Sequence, residues 1–245
     1  MKKIMKISII IPTRNEEKII GITLVKLKTK LTLPHEIIVT DGASTDKTVE
    51  IARQYIDKVV EHIGPGRQTI SQGRNAGAAM ATGDFLVFMD ADCSFMNPDD
   101  FFKIAIEDFN DPKLVALTGW LRVLPEYETL ADYIIFNIQN VYSLFVNKVL
   151  HYGISPGGEF QMIRAETFRQ LGGYKEHLVA GEDIELFFRL SRTGRTRLDR
   201  KLKVFHTGRR AHKIGWPRLL LLWFLNSVWV VTTGKAYVKE WKVIR

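Results

Sequence analysis

A strict alternation of short β-branched runs with helical patterns across the first half of the chain constrains its fold most. "KISIIIP" reads as a strand, and residues 15–30 as a helix with Ile19, Ile20, Leu24 and Leu27 on one face. "EIIVT" is a second strand, followed by a helix that Thr45 or Asp46 caps and that runs to Tyr55. "KVVEH" is a short third strand, residues 68–81 a helix, and "FLVFMD" a fourth strand. Strands separated each time by a helix need right-handed crossovers, so the expected class is α/β with a Rossmann-like, mostly parallel central sheet flanked by helices. Such sheets bind ligands at the carboxyl ends of their strands.

Polar residues gather where that rule puts a ligand. Pro12, Thr13, Arg14 and Asn15 follow the first strand, Asp41 ends the second, and Asp90 and Asp92 end the fourth. Burying a carboxylate without a partner costs several kcal/mol, roughly, so an apolar strand that stops in two acids marks water, a cation or a reacting group.

The second half is less regular. "KLVALTGWLRV" suggests a longer strand, and residues 129–150 a long helix whose stripe of Ile134, Ile138, Val141, Leu144 and Phe145 is expected in the core. "SPGGEFQMIR" reads as loop and strand, followed by a short helix ending at Gly172-Gly173. "GEDIELFFRLSRTG" is a helix closed by Gly194, and "LKVFH" a later strand. In the tail, residues 219–231 are apolar except for Asn226 and Ser227, short of the roughly 20 residues that cross a bilayer. Trp216, Trp223, Trp229 and Trp241 accompany them, with Arg218 before and Lys235, Lys239, Lys242 and Arg245 after, a pattern suited to a membrane interface. A C-terminal helix docked on the core, or a dimer surface, is the alternative.

Composition narrows the function classes. The apolar run after "MKKIMK" is stopped by Pro12 and has no small-residue cleavage site, so it reads as a strand rather than a signal peptide. The single cysteine, Cys93, excludes an internal disulfide and reads as a small packing residue. A net charge of +8 is compatible with nucleic acid, anionic lipid or phosphate-bearing substrates, but no nucleic-acid-binding motif accompanies it, and no nucleic acid partner is expected. There is no G-x-G-x-x-G after the first strand and no G-x-x-x-x-G-K-[ST], which argues against dinucleotide and P-loop sites. Without clustered cysteines, any metal must be a hard cation held by oxygen, Mg2+ or Mn2+. Mg2+ takes one or two protein carboxylates and completes its shell with water and phosphate oxygens, which Asp90-Ala91-Asp92 plus a diphosphate would supply.

Here the chain resembles a family 2 glycosyltransferase with the GT-A fold. The matching stretches are "SIIIPTRNEE", "IIVTDGASTDKT", "RNAGAAMATGDFLVFMDADC" and "GGYKEHLVAGEDIELFFRL", in that order, over roughly residues 6–210. The resemblance implies an inverting, metal-dependent hexosyltransferase using a UDP- or GDP-linked sugar. It implies that Pro12, Thr13, Arg14, Glu16 and Asp41 hold the nucleoside, that Asp92 is the direct metal ligand and Asp90 the supporting one, and that Asp183 is the catalytic base. His206 is either a strand-end histidine or a third metal ligand. Glu182 and Asp183 also suit a helix start by charge alone, and Asp41 a turn before Gly42. Arg67 and Arg74, feeding the fourth strand, or Arg209 and Arg210, after "LKVFH", are placed to meet phosphate on donor or acceptor.

The expected organisation is a glycosyltransferase domain over 1–212, its nucleotide-binding half about 1–95 and its acceptor half about 96–212, with an aromatic and basic helical tail over 213–245. An ionised phosphate nucleophile needs no base and favours arginines, whereas a hydroxyl needs the base; a lipid-linked saccharide uses both. The expectation is therefore a lipid-linked glycan acceptor and a cytoplasmic protein peripheral on the inner face of the cell membrane. A soluble acceptor, or a non-catalytic module binding nucleotide sugars or anionic polymers, is the competing reading.

Overall fold

The computed structural model describes residues 5–56, 58–64, 66–241 and 244. Lys242 and Arg245, two of the basic residues expected in the tail, lie outside them. Four parallel strands, β1 (Ile7–Thr13), β2 (His35–Asp41), β3 (Val59–Glu61) and β4 (Phe85–Met89), are joined through α1 (Ile20–Lys30), α2 (Thr48–Arg53) and α3 (Ile70–Met80). β5 (Leu114–Val123) and β7 (Arg195–His206) run in the same direction. β6 (Phe160–Arg164) lies antiparallel between β4 and β5, giving a seven-stranded sheet in the order β3-β2-β1-β4-β6-β5-β7. The expected α/β class with a mostly parallel central sheet is what the chain adopts.

Alternation along each strand divides the core between the two faces of the sheet. Ile7, Ile9, Ile11, Val87 and Met89 pack on one face with Leu24 and Phe102, and Ile10, Ile38, Leu86 and Phe88 on the other with Phe168 and Leu186. Gly119 sits where the β5–β7 register shifts, and a Cβ there would stand 2.5 Å from the Leu202 carbonyl oxygen. Gly119→Ala is therefore expected to cost about 1–3 kcal/mol by overpacking against backbone, as measured by urea unfolding.

Glu36 ties β2 to its neighbours. Its carboxylate accepts hydrogen bonds from Ser8 Oγ (2.5 Å), Lys58 Nζ (2.5 Å) and Thr82 N (2.7 Å). Burial raises its pKa, but these bonds outweigh burial and hold the carboxyl well below the usual range. Glu36→Ala should destabilise by about 1–3 kcal/mol at neutral pH. Because the folded pKa is depressed, that contribution is present above the unfolded value of about 4.3 and fades as pH falls towards the folded one. Wild-type and variant urea midpoints should converge in acid.

Several elements differ from expectation. α1 begins at Ile20, not residue 15, because Asn15 takes φ 55° and the next residues bond to the loop after β2: Glu16 N donates to Thr48 Oγ1 and Glu17 N to Asp46 Oδ2. α2 starts at Thr48, whose N–H donates to Asp46 Oδ1 (3.0 Å) as the expected cap does, and ends at Arg53 rather than Tyr55. α4 (Pro98–Asp108) has no counterpart among the expected elements, although Asn97 accepts from Asp99 N and Asp100 N and Pro98 opens the first turn. The long helix is α5 (Leu130–Phe145), with the Thr129–Asp132 capping box, followed by a π-helical turn Val146–Leu150 that ends at His151 with φ 53°.

The expected core stripe of α5 is a correction. Ile134, Ile138, Val141 and Phe145 face outward, Ile138 being 65% exposed, while Asp132, Phe136, Asn140 and Ser143 are buried. β6 pairs with β5 only over Ala116–Thr118, so the Leu121 peptide needs other partners. Asn140 supplies them, its Oδ1 accepting from Leu121 N (3.0 Å) and its Nδ2 donating to Leu121 O (2.9 Å). Satisfying buried backbone decided the helix rotation, and the apolar stripe was left outside.

α6 (Ala165–Gln170), α7 (Glu182–Ser191), α8 (Arg209–Ile214) and α9 (Trp216–Thr233) complete the chain. α9 docks through Leu219, Asn226 and Val230, while Leu221, Phe224, Val228 and Trp229 are exposed. Among the described residues no helix is long and apolar enough to cross a membrane.

Candidate active site

The parallel strands end on one edge, and β6, running the other way, begins there. That edge opens into a crevice of about 830 Å³, lined by every residue expected at the site except Asp41. Asp41 is buried behind it, accepting from Ser44 N (2.8 Å), Ser44 Oγ (2.5 Å) and Thr13 Oγ1 (3.1 Å), so its carboxylate shapes the turn after β2. Pro12, Thr13 and Arg14 line the wall directly.

The segment after β4 is fixed on three sides. Asp90 N donates to Glu159 O (3.2 Å), Thr23 Oγ1 to Ala91 O (2.6 Å), and Ser94 pairs in antiparallel fashion with Phe205 of β7. The bridge to β7 brings Asp92 to Thr207, whose Oγ1 donates to Asp92 Oδ2 (2.5 Å). Arg209 links the first and fourth strands: it grips Glu16 at 2.8 and 2.7 Å and its Nε lies 3.3 Å from Asp92 Oδ2. Asp92 is 8% exposed and Asp90 34%, so Asp90 is the more open of the pair.

Arg74 occupies a different place from the phosphate-facing one expected of it. Its side chain is fully buried, donating to Glu182 Oε1 (2.8 Å) and Gly158 O (2.7 Å), with Asp90 Oδ1 at 3.4 Å. One guanidinium thus ties α3 to the start of α7, to the loop before β6 and to the Asp90 side chain. Asp183 lies half-buried beside Glu182. Burial raises the pKa of Asp183 against the opposing pull of Arg74. Burial and the Asp183 charge push Glu182 up to about 7. α7 begins after Gly181, at φ 77°, where a Cβ would meet Asn226 Nδ2 at 2.7 Å, so α9 packs directly beneath the acidic pair.

His206 ends β7 on the crevice wall, 7% exposed and edge-on to Phe136. Burial lowers its pKa, keeping the ring neutral. Nε2 is buried without a hydrogen-bond partner, as a ligand nitrogen would be, but Nδ1 accepts the Gly208 N–H (3.2 Å), which leaves the proton on Nε2. Ligation through Nε2 would require that proton to leave. Among the described residues no three His, Cys, Asp or Glu side chains converge on one metal position. The donor set fits a hard divalent cation held by one or two carboxylates and completed by phosphate oxygens.

Arg67 and Arg210 close the other side. Arg67 bonds to the Glu240 carboxylate and the Trp241 carbonyl, and Arg210 lies 4.3 Å over the Trp241 ring. Sequence reasoning missed Glu159 and Thr207. Glu159 lines the crevice, and burial together with Asp90, Asp183 and Asp92 pushes it up to about 8. A charged residue between a Gly-Gly pair and an apolar strand was its only signal.

A mostly parallel α/β sheet with acids and arginines gathered on its strand-end edge is the arrangement that the resemblance to glycosyltransferases calls for. The model of "Glycosyl transferase family 2" matches residues 8–171, and the chain belongs to that family. The chain is 30% identical over 202 residues to "Succinoglycan biosynthesis protein ExoA" of Rhizobium meliloti (strain 1021), covering 76% of this chain and 58% of that one. It is 29% identical over 171 residues to "O-antigen chain rhamnosyltransferase WbaN" of Salmonella anatum, covering 66% and 52%. The chain therefore spans less than two thirds of these curated relatives. Among solved structures, the mannosyltransferase PcManGT from Pyrobaculum calidifontis, in complex with GDP-Man and Mn2+, superposes with a TM-score of 0.74 at 20% identity, covering 96% of this chain and 66% of that one.

Proposed function

We propose that this chain is an inverting, divalent-metal-dependent glycosyltransferase that moves a sugar from a nucleoside diphosphate to a hydroxyl of a lipid-linked saccharide. The observation that carries the reading is the placement of Asp183, a half-buried carboxylate of raised pKa, in the same crevice as Asp90 and Asp92. Pro12, Thr13 and Arg14 meet the nucleoside, and Asp90 and Asp92 hold the cation. A bound Mg2+ or Mn2+ would neutralise charge developing on the leaving diphosphate. The acceptor oxygen attacks the anomeric carbon from the face opposite the leaving group, and Asp183 takes its proton. The bond from that carbon to the phosphate oxygen breaks, and its electron pair leaves with the nucleoside diphosphate.

Arg209 and Arg210 supply positive charge for a diphosphate on donor or acceptor, and the apolar tail suits a lipid-bearing acceptor at the inner face of a membrane. The relatives named for succinoglycan biosynthesis and for an O-antigen chain support a glycan acceptor. A complex with GDP-Man and Mn2+ in a structural neighbour supports the donor class and the cation.

Protection against thermal unfolding by a panel of UDP- and GDP-sugars with Mn2+ tests the donor. Asp92→Ala should abolish the Mn2+ dependence of that protection and reduce transfer at least about a hundredfold, since metal stabilisation of the leaving group contributes several kcal/mol. Undiminished transfer by Asp92→Ala would sink the assignment.

A further inference from the structure

We infer that the outward faces of α5 and α9 together form a docking surface for an anionic lipid bilayer. The inference rests on the lipid-linked acceptor proposed above, and names the surface beside which that acceptor is taken up. On α5, Ile134, Ile138, Val141 and Phe145 recur at helical spacing and are all exposed. On α9, Leu221, Phe224, Val228 and Val231 do the same, Phe224 being 65% exposed. Both helices already have a packed inner face, so these outer faces are not the cores of their own elements.

Both helices also wall the crevice. Gln139 and Tyr142 of α5 and Leu219 and Trp223 of α9 line it, and the two helices meet where Trp216 Nε1 donates to Asp132 Oδ1 (2.9 Å). A lipid chain leaving the crevice between them would pass onto apolar surface.

Charge selects the occupant. From Arg200 to Lys239 the chain has no Asp or Glu, and Lys213, Arg218 and Lys235 stand outside the crevice lining. Along 130–152 the one acid is Asp132, fully buried and engaged by Trp216, Thr129 and His212. A second copy of this chain meeting the same face about a two-fold axis would set cationic rim against cationic rim. An anionic bilayer complements it, and the exposed Tyr133, Tyr152, Trp229 and Tyr237 suit the headgroup layer. Paired apolar and cationic surface on two adjoining helices suits a contact along the membrane surface.

The test is flotation of the full chain with phosphatidylcholine vesicles, with and without phosphatidylglycerol, in the absence of nucleotide sugar. The wild type is expected to float with the anionic vesicles and to be released by high salt. A variant with Ile134→Gln, Ile138→Gln, Val141→Gln and Phe145→Gln, all exposed sites outside the crevice lining, should bind vesicles at least about tenfold more weakly while keeping its far-UV circular dichroism. Arg218→Glu with Lys235→Glu should lose the preference for anionic lipid. Docking is overturned if the wild type floats with neither vesicle, or if the four-site variant floats like the wild type. It is also overturned if those substitutions instead dissociate a solution dimer, which gives the face to a second copy. Donor protection is measured without vesicles, so a failure of docking and a failure of the proposed chemistry are told apart.

Discussion

Asp183→Asn should lower kcat by about 10²–10⁴-fold, the usual range for removing a positioned general base, while nucleoside diphosphate affinity stays within about twofold. The amide keeps the shape of the side chain and its place beside Glu182, but it cannot take a proton. Groups facing Asp183 from the surrounding elements are Glu182, Arg74 of α3 and Glu159 before β6. Burial raises the pKa of Asp183, whereas Arg74 and backbone hydrogen bonds at the start of α7 lower it. The base works only when ionised, so kcat should fall as pH drops through that raised value, and the fall should begin at a higher pH than for an ordinary aspartate. Losing this acid limb in Asp183→Asn, with the residual rate flat in pH, would identify the titrating group. A variant with unchanged kcat would remove Asp183 from the chemistry.

Arg74→Met should be the most destabilising single change described here, by about 3–5 kcal/mol, because it strips a fully buried charge from partners that stay buried. Glu182 would lose its 2.8 Å partner and the Gly158 carbonyl its 2.7 Å donor. Arg74→Lys should rescue only part of the loss, since an ammonium does not reproduce the planar fork that reaches Glu182 and Gly158 together. Adding Glu182→Gln to Arg74→Met should restore some stability by removing the orphaned charge, which urea unfolding of single and double variants would measure. Equal effects from Arg74→Met and from a surface arginine such as Arg53→Met would show that the buried guanidinium is not structural.

Much of the fold was legible because β1, β2 and β4 are apolar on both faces and the helices between them are short and regular. The strand-end acids were legible for the same reason, since nothing in packing calls for Asp90 and Asp92 after such a strand. The rotation of α5 was not, because it depends on which peptide of β5 lacks a strand partner, a fact of pairing between distant segments. The buried position of Arg74 was equally hidden: an arginine on a helix reads as exposed until Glu182, 108 residues away, is brought beside it. Glu159 escaped notice because its place on the crevice depends on β6 running against its neighbours.

That reversal has a consequence of its own. At β1, β2 and β4 the chain delivers residues to the crevice as it leaves the sheet. At β6 the order is inverted: the stretch 151–159 arrives from α5 and only afterwards enters the strand. Its end is held to the parallel half of the site by backbone rather than by a crossover helix: the Gly158 carbonyl accepts from Arg74 (2.7 Å) and the Glu159 carbonyl from Asp90 N (3.2 Å). A Cβ at Gly153 would stand 2.1 Å from the Phe187 carbonyl oxygen and one at Gly158 2.9 Å from the Arg74 guanidinium, so this wall of the cleft moves only together with α7 and α3.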